Sequence, residues 1–124
     1  MKQEEKELLL KDLCARLPYG VKVESVFINP DTKEHKSCGI EVFDATSILM
    51  IRDGLGEFKP YLFPLTNMTE EQSKIYHELI RGMFGTSALI NFEALEDFFH
   101  KNHFDYRGLI PMGLAIDATG LNIY

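Results

Sequence analysis

The apolar positions of the chain follow two different rhythms. Between residues 3 and 17, Leu9, Leu10, Leu13, Cys14 and Leu17 recur at helical spacing with Lys and Glu between them. That spacing predicts an amphipathic helix, with Cys14 on its buried stripe. Pro18-Tyr19-Gly20 stops it. From Val21 to Ile28 the rhythm changes to alternation: Val21, Val23 and Phe27 share one face, and Lys22 and Glu24 the other. This predicts a strand. Asn29-Pro30-Asp31-Thr32 reads as a turn, and the polar stretch through Ser37 as a loop. Cys38 to Phe43 and Ser47 to Ile51 read as two more strands, joined by a hairpin at Asp44-Ala45-Thr46. Ile48-Leu49-Met50-Ile51 is apolar on both faces, which suits a central strand.

The second half returns to the helical rhythm. Asp53-Gly54-Leu55-Gly56 turns the chain, and Glu57 to Asn67, with two prolines, reads as an extended connector over the core. Thr69-Glu70-Glu71-Gln72 is a capping box. The threonine oxygen caps the first turn, Gln72 reaches back, and the two acids suit the positive end of the helix dipole. Ile75, Tyr76, Leu79, Ile80, Met83 and Phe84 form the expected buried face, with Gly85 as terminal cap. A last helix is expected from Asn91 as cap to about His103, with Ile90 and Leu95 as a hydrophobic staple. A docked tail follows through Asp117. The pattern therefore predicts one α+β domain over residues 1–124. Its parts are an N-terminal helix, a three- to four-stranded antiparallel meander, two C-terminal helices and the tail.

Composition narrows the function. The 124 residues carry 13 Lys and Arg against 19 Asp and Glu, a net charge of −6. The basic residues are scattered, so non-specific nucleic-acid binding and docking on an anionic membrane are not expected. The N-terminal stretch lacks the apolar run of a signal peptide, and no stretch approaches the length of a membrane span. The expected setting is cytoplasmic, with Cys14 and Cys38 reduced.

Chemistry-bearing residues concentrate in HKNHFDYRGLIPMG, residues 100–113. On a helical wheel Phe92, Leu95, Phe98, Phe99 and Asn102 cover the core side, and Glu96, His100 and His103 fall within about 60° of one another at its margin. Imidazoles beside a carboxylate are a zinc ligand set, with Asp105 able to orient one ring, so a metal-dependent hydrolase is one alternative. The spacing does not match HExxH. The blander account places His103 at the core edge, His100 in solvent and Glu96 in a weak pair with it. Asp105 then caps the next turn or pairs with Arg107. An exposed Tyr106-Arg107 pair would suit a partner surface, because both residue types are favoured at binding hot spots. Gly54-x-Gly56 lacks the third glycine of a dinucleotide fingerprint, and His35-x-x-Cys38 has no second ligand pair at zinc-finger spacing.

Three stretches, DLCARLPYGVKV, KPYLFPLTNMTEEQ and NHFDYRGLIPMGLAID, resemble a family of small uncharacterised proteins from gut Bacteroidales and their phages and mobile elements. The resemblance implies a cytosolic setting and a link to mobile DNA, and carries over no catalytic residue. No polar constellation of catalytic quality stands out and no cofactor is called for. The leading expectation is a non-enzymatic protein-interaction or regulatory module whose partner is another protein. The alternative drawn from the resemblance is an accessory role in nucleic-acid transactions.

Overall fold

The computed structural model describes residues 2–82 and 88–124. In order, the elements are α1 (Gln3–Arg16), β1 (Lys22–Ile28), β2 (His35–Val42), α2 (Ala45–Arg52), β3 (Gly56–Leu62), α3 (Glu70–Gly82), α4 (Ala88–Lys101) and β4 (Ile116–Asp117). Four helices and a mixed sheet of order β2-β1-β3-β4 make an α+β fold.

The expected meander is corrected in two ways. The stretch read as a strand at Ser47–Ile51 is helix α2, and β3 pairs with β1 instead of β2. A short apolar run fits a buried helix as well as a strand, and here the residue before it decides. Asp44 accepts from the Ser47 amide at 3.0 Å, and Ser47 Oγ accepts from the Asp44 amide at 3.3 Å, a reciprocal cap that starts a helix where a hairpin turn was expected. The helix carries the chain across β1, so β2 and β3 flank β1 and both run antiparallel to it. The last strand, β4, then joins β3 in parallel. The expected connector at Glu57–Asn67 is β3 over its first part. Pro60 is tolerated there because the Ile28 amide donates to Leu55 O, which puts Val23 and Pro60 in a non-hydrogen-bonded pair of the ladder, so the missing N–H takes no bond from β1.

Leu9, Leu13, Val21, Val23, Phe43, Phe58, Leu62 and Leu109 fill one core beneath the sheet. Leu95, Phe98, Phe99 and Phe104, with Tyr76 and Leu79 from α3, fill a second between the helices. Cys14, expected in the first core, is exposed. The stripe of α1 is rotated, so that Asp12 and Arg16 are buried with Leu9 and Leu13. Phe92, placed on the core side of the last helix, is exposed, while Leu95, Phe98 and Phe99 are buried as expected. The Thr69–Gln72 box forms reciprocally at 3.2 and 2.9 Å. Helix α4 opens at Ala88, so Asn91 lies inside it and not at its cap. Met83, Phe84 and Gly85 lie outside the described residues.

The same helix ends at Lys101, two residues earlier than expected. The His103 amide donates to His100 O and the Phe104 amide to Phe99 O, and His103 takes a left-handed φ of 59°. This is a Schellman ending with histidine where glycine is usual. The tail docks through Tyr124. Its hydroxyl donates to Tyr61 O at 2.7 Å and accepts from the Lys22 amide at 2.8 Å, which extends the β1–β3 ladder by one rung.

Candidate functional site

Of the predicted site residues, Glu96 and His100 lie in α4 and His103, Tyr106 and Arg107 in the corner that follows it, where Arg107 meets Asp12, the partner of Arg16 in α1. Arg16 Nε donates to Asp12 Oδ2 at 2.8 Å, and Arg107 Nε donates to Asp12 Oδ1 at 3.1 Å. Arg16 Nη2 donates to Phe104 O at 2.6 Å, and Arg107 Nη2 to the Tyr106 hydroxyl at 2.8 Å. Asp12 and Arg16 are 0 % exposed, so one buried carboxylate holds a buried guanidinium and a second, partly exposed one. A buried charge needs such partners, because desolvation otherwise costs several kcal/mol. Both guanidinium groups also lie against the Tyr106 ring, which stacks on Phe99 with centroids 4.8 Å apart.

This geometry changes the reading of Tyr106 and Arg107. Their value as a partner surface supposed an exposed pair. Arg107 has only 17 % of its side chain exposed and is committed to Asp12, and Tyr106 is half-buried. Asp105 does not pair with Arg107. Its two oxygens accept from the Leu109 and Ile110 amides at 2.8 and 2.9 Å, which caps the turn that follows.

Glu96, His100 and His103 are not gathered into one site. His100 is buried, contrary to the expected solvated position, and its Nε2 meets the Tyr106 hydroxyl at 2.8 Å. His103 leaves the helix through its left-handed turn and stacks on Tyr124, with centroids 3.7 Å apart. Burial lowers the pKa of both imidazoles, helped by the Arg16 charge, and brings His103 down to about 4. Among the described residues, no group of three His, Cys, Asp or Glu side chains is placed to hold a metal ion. The helical wheel overestimated the cluster because it carried α4 through His103.

Two other surfaces are open. A shallow groove of about 350 Å³ lies between α1, α2 and β3. Leu9, Leu10, Ile51 and Phe58 line it, and Lys6, Glu57 and Lys59 are its titratable groups. The other surface is β2. As the first strand in the sheet order it has β1 on one side and, among the described residues, no strand on the other, and all eight of its residues are exposed. Ile40 and Val42 are 50 % and 53 % exposed. The sequence pattern places a strand at Cys38–Phe43 and a loop through Ser37, whereas β2 already begins at His35, and candidate chemistry here is limited to His35 and Cys38. The available signal was its composition, since Lys36, Ser37, Gly39 and Glu41 leave too few apolar residues to bury either face.

No family model, curated protein or solved structure matches the chain. Among the described residues, no helix is long and apolar enough to cross a membrane.

Proposed function

We propose that the protein is a non-enzymatic interaction module that binds another protein by strand addition along β2. One observation carries this reading: β2 is an eight-residue edge strand, exposed throughout. An open edge offers a row of unpaired backbone N–H and C=O groups, and strand addition is a recurrent mode of protein recognition. The backbone supplies affinity and the outward side chains supply selectivity. Ile40 and Val42 give this edge two apolar contacts of the kind such recognition uses. In this reading Tyr106 and Arg107 belong to the frame that holds α1 against the corner after α4, and not to the contact itself.

The test is affinity capture from a lysate of gut Bacteroidales, with wild-type protein and Ile40→Pro as paired baits. A protein retained by wild type and lost with the proline variant supports strand addition. Equal retention by both baits rejects β2 as the surface.

A further inference from the structure

The β2 edge is complementary to itself, and we infer that its partner is a second copy of this chain, paired antiparallel across a two-fold axis. The inference rests on the interaction reading above and names the occupant of the same edge.

The phase of the ladder fixes which residues face outward. The Phe43 amide donates to Val21 O, and the Asn29 amide donates to Glu34 O, so these pairs exchange bonds across β1 and β2. Bonded pairs alternate along an antiparallel ladder. Glu41 and Lys36, opposite Val23 and Phe27, are therefore bonded inward. Val42, Ile40, Ser37 and His35, opposite Lys22, Glu24, Val26 and Ile28, aim their backbone groups away from β1.

A bulge interrupts this ladder between Ser25 and Val26, with Cys38 as the extra residue and Gly39 at φ 80°. Bulges usually blunt an edge against pairing. This one has a second consequence. It shifts the side-chain alternation by one residue, so Lys36 lies on the same face as Glu41, Ser37 on that of Ile40, and His35 on that of Val42. A two-fold axis perpendicular to the sheet, passing between Cys38 and Gly39, then sets like face against like face. His35 meets Val42 of the second copy and Ser37 meets Ile40. All four outward backbone positions thus find outward positions opposite. Lys36 meets Glu41 twice, once on each side of the axis, as directly opposed ion pairs. In a strand without the bulge, the same pairing would put each of these residues opposite one from the other face of the sheet.

One edge strand buries less than a standard interface, so the dimer belongs to the weak, exchanging class. Sedimentation velocity from micromolar to about millimolar protein reads it. The expected result is a concentration-dependent dimer. Lys36→Glu and Glu41→Lys should each weaken it at least roughly tenfold, and the double swap should restore it, because opposed charges again meet in register. Ile40→Pro should abolish it with the monomer still folded, since the lost N–H faces away from β1. In a Cys14→Ser background, a short thiol crosslinker should join Cys38 to Cys38. A monomer throughout the range, or a dimer indifferent to these changes, overturns the inference. If the chain stays monomeric but Ile40→Pro still loses a captured protein, self-pairing is wrong and strand addition stands. If Ile40→Pro alters neither, both readings fall.

Discussion

The corner after α4 and the edge strand β2 make opposite use of polar residues. The corner gathers Asp12, Arg16, His100, Asp105, Tyr106 and Arg107, and gives each of them internal partners. Strand β2 carries less distinctive chemistry and leaves all its side chains in solvent. Residue types that look catalytic in the sequence thus serve to bind α1 to the corner. A stretch without a motif is one that stays open. The lesson is that chemistry-bearing residues do not by themselves mark a site: here they are taken up by internal contacts, and the buried side-chain atoms left without a partner among the described residues are Arg16 Nη1 and His103 Nδ1.

The comparison breaks most visibly at Asp12. Asp12→Ala leaves Arg16 and Arg107 without their shared carboxylate in a buried place, and should cost about 3–5 kcal/mol in urea unfolding. A cost near that of an exposed ion pair would mean that the corner is hydrated and the contrast with β2 false. Asp105→Ala is the next largest. It strips the Leu109 and Ile110 amides of their acceptor, at about 1–3 kcal/mol by the same measurement.

A smaller effect distinguishes the corner by pH. The His103 pKa falls from 6.5 to about 4 on folding, chiefly through burial. Between those values the unfolded chain binds more protons than the folded one, so stability should fall as pH drops from 6.5 towards 4. His100 shifts in the same direction and adds to the slope. Thermal unfolding at pH 7 and pH 5 reads the change, and His103→Gln should flatten it. The smallest effect belongs to β2: Ile40→Pro should lower the unfolding free energy of the dilute protein by only about 1 kcal/mol, because its amide takes no bond from β1.

Much of this contrast could not be read along the chain. The Thr69–Gln72 box was legible because a cap is local, with both partners three residues apart. The burial of Asp12 and Arg16 was not, because Arg107 and the Phe104 carbonyl that satisfy them arrive from 95 and 88 residues away. Before folding, both residues look like part of a solvated helix face. The α2 error was of another kind. Its cap at Asp44 was present in the sequence, but the aspartate was read as a hairpin turn. Glu96, His100 and His103 looked convergent only while the helix was taken to run past Lys101. The left-handed backbone at His103 that ends it is a conformation histidine adopts rarely, so composition gives little warning of it.

The most direct measurement is residue-resolved amide exchange of the native protein at low and high concentration. It follows both regions in one experiment. The Leu109 and Ile110 amides should be protected at both concentrations. The amides of Ser37, Ile40 and Val42 should exchange freely when dilute and slow on association. Protection that appears instead around Tyr106 and Arg107, with β2 unchanged, would contradict the assignment of the interacting surface to the sheet edge.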